Sequence, residues 1–452
     1  MRPGTGYGAH PTWHNSGRAT DDSEARGARE DTRLMVTGMR LVVWRVGLAL
    51  GVLWLAAGAA GAQEMIRVGL SYGQAPRAVV VSGPGEWAAR RFSEGFDGEA
   101  RISASKGELV LETGGRRGGV GPWIELRARD EGRPLRLDGS GYRGTLRVEV
   151  ADGGGLRVVN EVEMEDYVRG VVPSEMFSQG EAFKVQAVVS RTYAVYMRDV
   201  ERKHRGDGFD ICAAGHCQVY RGAGPETALS DEAVRATAGE VLTYEGRPIF
   251  SAYHANAGGM TQGVDDAWPG STSRDLPYLV AVASPYDERV GELPGYGWCY
   301  EWDQRVSGRD IEERLRARGK DVGEVRALTV VGRTSTGRVR ELEVVGTRGR
   351  ATLGTPGEVR AVLGTPSTCF EVGGGGGEFE LSGRGRGHGV GLSQHGAFGM
   401  ARAGHGYAEI LGSFYSGVSL AQDYGRGESR ALGGLVAERA EGPAETAPEG
   451  EG

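Results

Sequence analysis

Residues 162–198 read VEMEDYVRGVVPSEMFSQGEAFKVQAVVSRTYAVYMR. A Pro-Ser-Glu-Met turn places one carboxylate, Glu175, just before a long amphipathic helix. On that helix Ala187, Ser190, Ala194 and Met197 recur at helical spacing, and Gly206 and Gly208 stop it after about Lys203. Lys184, Gln186, Ser190, Arg191 and Tyr193 follow Glu175 on the same helix. A single acid beside amide, hydroxyl and guanidinium donors suits sugar-bond chemistry. The earlier acids Glu163, Glu165 and Asp166 precede a Tyr-Val-Arg-Gly helix start and read as capping and first-turn charge.

Outward from this stretch the pattern is β. From Met65 to about Val150, IRVGL, RAVVVSG, ELVLETG, PLRLDG and GTLRVEV alternate apolar and polar residues between glycine-rich turns. On the other side, Asp231 to Ala238 reads as a short helix that leads into a hairpin turning at Glu245-Gly246. Asp310 to Arg318 reads as a charged helix, and VRALTVVGRTSTGRVRELEVVGTRG as a second hairpin. Gly373 to Gly377 reads as a five-glycine linker, and Tyr407 to Tyr415 as the last helix. The expected class is α+β, a mainly antiparallel β framework with a few helices and a substrate groove. Its parts are an N-terminal extension with an export signal (1–62), a β-rich region (63–150), a main domain (151–424) and a disordered acidic tail (425–452).

Composition excludes several classes. The chain has 452 residues and a formal net charge of −7, with no basic stripe carrying interleaved aromatics, so nucleic acid is not an expected partner. Its 78 glycines follow no Gly-X-Y period, which excludes collagen. Arg40 and Arg45 flank the charge-free segment Val46 to Ala59, and Ala60-Gly61-Ala62 is a small-x-small cleavage signature. That reads as a secretory signal peptide, with an uncleaved membrane anchor as the alternative. Export allows disulfides, and Cys299 with Cys369, at the edges of strand-like segments, is the expected pair.

Two further clusters carry chemistry. Cys212-Ala-Ala-Gly-His216-Cys217 holds thiols and an imidazole suited to Zn²⁺, with His204 or His254 as a fourth ligand. The alternative is a Cys212–Cys217 disulfide. The glycine-rich run Gly383 to Gly391 lacks a phosphate-binding Lys-Ser/Thr and a surrounding βαβ unit, which excludes nucleotide binding. Its glycines instead let the backbone approach a sugar or another strand closely. His388, Ser393, Gln394 and His395 then line a groove with Glu175, and His254 with Asn256 and Thr261 fits one of its walls. Trp268 and Tyr278 read either as sugar-stacking rings or as core.

Residues 162–198, QVYRG (218–222), YHANAGGMT (253–261) and RGRGHGVGLSQHGAFGMARAG (384–404) together resemble the SpoIID/LytB family. The family is named for stage II sporulation protein D and an amidase-modifier protein. The four motifs occur in the family's order, and the resemblance covers roughly Met65 to Tyr424. It implies a cell-wall role. Sporulation members are lytic transglycosylases that cleave between N-acetylmuramic acid and N-acetylglucosamine in glycan stripped of stem peptides. The family's catalytic glutamate falls on Glu175. One acid suffices for such an enzyme because the sugar's own 6-hydroxyl is the nucleophile, whereas a hydrolase usually needs two carboxylates. Pro173, Met176 and Phe177 are expected to supply apolar surroundings that keep Glu175 protonated. Lys184, Gln186, Arg191, Tyr193, His254, His388, Ser393 and Gln394 are the expected glycan contacts; the alternatives are a solvated Lys184, Arg191 or Tyr193 as a core anchor, and His388 as an oriented structural histidine. His395 stands where the family more often has an aromatic residue. No cofactor is required, although some members bind zinc near residues 212–217. Amidase-modifier members imply the alternative, a non-catalytic wall-binding enhancer of a partner N-acetylmuramoyl-L-alanine amidase.

Overall fold

The computed structural model describes residues 64–432, apart from 90–91, 131, 177, 179, 272–273, 293–298 and 423–428. The export signal and most of the acidic tail lie outside the described residues. Ser429–Ala431, which the sequence assigns to the disordered tail, instead forms a strand against Ser419–Gln422. Among the described residues no helix is long and apolar enough to cross a membrane.

The N-terminal alternation forms the expected strands, which assemble into a seven-stranded and a six-stranded sheet. Their inward residues, including Val81, Ile102 and Leu109 from one sheet and Ile124, Leu126 and Val148 from the other, share one core. The boundary expected at residue 150 falls inside a hairpin, because Thr145–Val150 pairs with Leu156–Glu163. The second of these strands runs straight into helix α1, Met164–Glu175, and helix α2, Glu181–Tyr196, follows. Pro-Ser-Glu-Met is therefore the last turn of α1 rather than a separate turn, and the chain becomes extended at Met176 (φ −137°, ψ 132°).

Helix α2 departs from the amphipathic expectation, since thirteen of its sixteen residues are buried. Val185, Val188 and Val189 enter one core with Leu242, Leu392 and Phe414, while Phe183, Ala187 and Ala194 enter another with Val168 and Ile211. A helix apolar on most sides belongs in the interior. After α2 a π-helical turn, Met197–Glu201, ends at Arg202 in a left-handed conformation (φ 51°).

Residues 301–384 fold around a separate core. One three-stranded sheet (Glu301–Ser307, Glu378–Arg384, Phe370–Gly375) packs with another (Val325–Arg333, Val339–Gly346, Gly349–Leu353) and two short helices. The five-glycine run is no linker, because Gly375 pairs with Glu378 and the run closes a hairpin. All four cysteines are free, so the expected Cys299–Cys369 bridge is corrected. The strands that follow Cys299 and Cys369 flank Glu378–Arg384 on opposite sides. Two strand spacings of about 4.8 Å separate them, beyond the usual Cα span of a disulfide.

Arg191, 1% exposed, fastens α2 to α1. Its Nε and Nη2 donate to Glu165 at 2.7 and 2.6 Å, and Nη1 donates to the Glu240 carbonyl at 3.1 Å. Glu165 also accepts from the Gly239 N–H at 3.1 Å. Removing one partner strands a buried charge. Glu165→Ala is expected to lower unfolding stability by about 3–5 kcal/mol, and Glu165→Leu with Arg191→Met by much less, as read from urea denaturation midpoints.

Candidate functional site

Glu175 closes α1, where the helix carbonyls point toward the chain end and disfavour a negative charge. Its half-buried carboxyl is raised above the ordinary range by burial. Three groups act in the opposite direction: the Val219 N–H, the Tyr253 hydroxyl and the charge of Arg221. Glu175 Oε1 accepts from the Val219 N–H. Tyr253 in turn accepts from Gln218 Nε2 at 3.2 Å, and Gln218 Oε1 accepts from the Tyr167 hydroxyl at 3.1 Å. On the other side Gln394 Nε2 donates to the Glu175 carbonyl at 3.2 Å and to Gln186 Oε1 at 3.1 Å. Gln186 Nε2 continues the chain to Ser190 Oγ at 3.0 Å.

Segments distant in sequence meet here through local geometry. Tyr253–His254 pairs in parallel with Leu392–Ser393, which sets YHANAGG beside SQHGA. The glycines allow that closeness. A Cβ on Gly391 (φ 68°) would lie 2.2 Å from the Ala252 carbonyl oxygen, and one on Gly387 (φ 110°) 2.6 Å from the His254 Cβ. Of the two roles expected for the glycine run, these positions serve approach to another strand.

The structure brings Gln186 and Gln394 to the acid and places other expected contacts in the scaffold. Arg191 is spent on Glu165, as described above. Tyr193 is buried against Phe250 at 5.8 Å between ring centroids. Lys184 pairs with Glu181 at 2.6 Å and lies over the Tyr407 ring. His254 is buried with Nδ1 on the Val390 carbonyl at 3.1 Å, and burial pushes its pKa well down. Ser393 donates to Asp287 at 2.5 Å and caps the helix Gln394–Arg402 by accepting from the Gly396 N–H. Arg191, Tyr193, His254 and Ser393 are thus buried among protein partners, whereas Lys184 keeps 29% of its side chain exposed beside its pair with Glu181. His388 acts one step away, with Nε2 donating to the Tyr253 carbonyl at 2.9 Å. His395 bonds Asn256 at 3.3 Å, and burial lowers its pKa to about 4. Trp268 packs on Phe250 and His388, and Tyr278 is buried with its hydroxyl accepting from the Phe250 N–H at 2.9 Å. Phe177 lies outside the described residues. Gln218, Val219 and Tyr253 were missed as site residues although each sits in a quoted motif. Val219 acts through its backbone, which no residue type announces.

His204, Cys212, His216 and Cys217 form a second cluster, with donor atoms all within 4.8 Å of one another. His204 Nε2 is 3.3 Å from Cys217 Sγ, and His216 Nδ1 is 3.5 and 3.7 Å from the two sulfurs. A tetrahedron built on zinc bonds of about 2.3 Å to sulfur and about 2.05 Å to nitrogen has S···N edges near 3.6 Å, so the donor set fits. His204 Nδ1 bonds Asp207 at 2.8 Å, the outer partner a ligating imidazole commonly keeps. Cys212 is lowered to about 4, first by the Cys217 thiol and then by His204 and His216, against burial. Of the two fourth ligands considered, His204 is the one in place.

Residues 152–244 match the family described as stage II sporulation protein (SpoIID), and residues 272–391 match a domain of unknown function, DUF8618. An uncharacterized protein of Brachyspira hyodysenteriae is 29% identical over 374 residues, covering 80% of this chain and 94% of that protein. Stage II sporulation protein D of Bacillus amyloliquefaciens is 29% identical over 58% of this chain and 76% of its own length. The amidase enhancer of Bacillus subtilis is 29% identical over 56% of this chain and 40% of its own length. With the convergent motifs, these similarities support the SpoIID/LytB family for this chain. They support a cell-wall-associated role.

The Tyr253 hydroxyl favours the charged form of Glu175, so removing it takes away an interaction that favours ionisation. Tyr253→Phe is expected to move the Glu175 pKa further upward, read by carbon-13 titration of labelled glutamate. An unchanged or lower value contradicts the contact.

Proposed function

We propose that this chain is an exported peptidoglycan lytic transglycosylase with Glu175 as its acid and then its base. The observation that carries the reading is a lone half-buried carboxyl, raised by burial, whose neighbours are an amide, a phenol and a guanidinium, with no second carboxylate among them. Protonated Glu175 gives its proton to the glycosidic oxygen as the bond to the muramic acid C1 breaks. The N-acetylglucosamine hydroxyl leaves, and positive charge develops at C1. The Val219 N–H and Tyr253 hydroxyl then stabilise the carboxylate that has formed. That carboxylate takes the proton of the muramic acid 6-hydroxyl, whose oxygen closes on C1 to give the 1,6-anhydro ring. No water is consumed. Gln394 and Gln186 fix the carbonyl end of the acid's residue, which orients the carboxyl.

Glu175→Gln is expected to reduce release of anhydro-muramyl products from purified glycan by about 10²–10⁴-fold, read by mass analysis. Because the acid must be protonated, the wild-type rate should hold above the ordinary carboxylate range and fall as pH rises through the elevated Glu175 pKa. Undiminished anhydro products from Glu175→Gln overturn the reading. A second reading follows from the relative named amidase enhancer: wall binding that stimulates a cell-wall amidase, without cleavage. Retained glycan binding and amidase stimulation, with no products of its own, favours that reading.

The same proposal gives His204, Cys212, His216 and Cys217 a zinc ion. A closed four-ligand site supplies structure rather than a reactive metal, and here it fixes the turn that leads to Val219. Protein purified without chelator is expected to carry about one zinc per chain, and Cys212→Ser to lose it together with melting temperature. Metal-free protein lacking two free thiols indicates the Cys212–Cys217 disulfide instead.

A further inference from the structure

Residues 218–222 alternate: Gln218, Tyr220 and Gly222 are buried, Val219 is half-buried and Arg221 is exposed. Val219 and Arg221 are thus the residues of this segment that reach outward, and the Val219 N–H holds Glu175. The Arg221 charge reaches the Glu175 carboxyl. Arginines of the surrounding elements are committed elsewhere, Arg143 to Glu226, Arg169 to Asp231 and Arg191 to Glu165. Among the described residues, no carboxylate forms an ion pair with Arg221. It stands open to solvent near the acid, on a segment whose Gln218 and Tyr220 side chains are buried.

A guanidinium so placed asks for an anion close to the scissile bond. On a muramic acid ring that anion is the lactyl group, carried on C3 of the sugar whose C1 bond breaks. With a stem peptide attached, the lactyl carboxyl is a neutral amide. Once the peptide is removed it is a free carboxylate, which a planar guanidinium takes with two parallel hydrogen bonds. We infer that Arg221 binds the free lactyl carboxylate of peptide-stripped muramic acid and thereby sets a preference for denuded strands. The inference rests on the transglycosylase reading and names the residue that selects its substrate. It has a second consequence. The bound carboxylate offsets the Arg221 charge that draws Glu175 toward ionisation, so the correct strand helps keep its own acid protonated.

The test compares wild type, Arg221→Gln and Arg221→Lys on one glycan preparation, with and without prior removal of its stem peptides. The quantity read is the ratio of kcat/KM on denuded strands to that on peptide-bearing strands. Arg221→Gln is expected to lower this ratio about tenfold through KM on the denuded strands, with Arg221→Lys intermediate because it keeps charge and loses the fork. The alkaline limb of kcat/KM should also move to higher pH in Arg221→Gln, a shift that a merely structural role would not produce. A ratio unchanged by Arg221→Gln overturns the inference, as does a wild type without preference. If wild type releases no anhydro products from either preparation, catalysis by Glu175 fails on its own account. Binding of the same two preparations then decides Arg221: a denuded-strand preference lost in Arg221→Gln supports the inference, and one retained overturns it.

Discussion

The site depends on a two-residue parallel ladder. Tyr253–His254 and Leu392–Ser393 meet although the whole of residues 301–384 is strung between them. Two residues of pairing cannot repay the closure of so long a loop. The ladder survives because buried polar groups lock its surroundings. Asp287, fully buried, accepts from Ser393 and Ser284 and from the Gly259 N–H. Arg338 reaches from the 301–384 unit to the Ala257 and Met260 carbonyls. The separately cored unit is thus tied to the segment that carries Tyr253, and burial forbids these groups from letting go cheaply.

Around Glu175 two opposing demands are balanced in one place. Burial favours the neutral acid, the state that proton donation in the proposed reaction needs. The amide, phenol and guanidinium favour the anion that results. An acid buried without donors would keep its proton too tightly, and one fully solvated would have lost it already. The amide and the guanidinium arrive on a segment that begins at Cys217, so the Cys/His cluster and the acid share one short piece of backbone. Gln218 strengthens the link by joining Tyr167 and Tyr253.

Much of this was legible in the sequence. Alternation located the N-terminal strands and both hairpins, and the motifs named the segments that converge on Glu175. What failed did so for identifiable reasons. Arg191 has the chemistry of a sugar donor, and its burial depends on Glu165, 26 residues away. The glycines at 373–377 have a linker's composition, and only the register of Phe370–Gly375 against Glu378–Arg384 makes them a turn. Cys299 and Cys369 both precede strands, but the strand order sets a third strand between them. Tyr253 was hidden by its neighbour, since His254 looked like the chemical residue while the tyrosine faced the acid.

The balance at Glu175 also bears on the choice between enzyme and enhancer. A carboxyl whose pKa is raised on folding binds protons more tightly in the fold than in the unfolded chain. Its contribution to stability is therefore lost as pH rises above the ordinary carboxylate range, so near neutrality the fold bears a cost for keeping it. A surface that only binds wall polymer gains nothing from that cost. A glutamine of nearly the same shape would fill the place, accept the Val219 N–H and add no charge to bury. A carboxyl held there against its own solvation is what proton transfer requires, and perturbed ionisation of this kind gathers at catalytic sites.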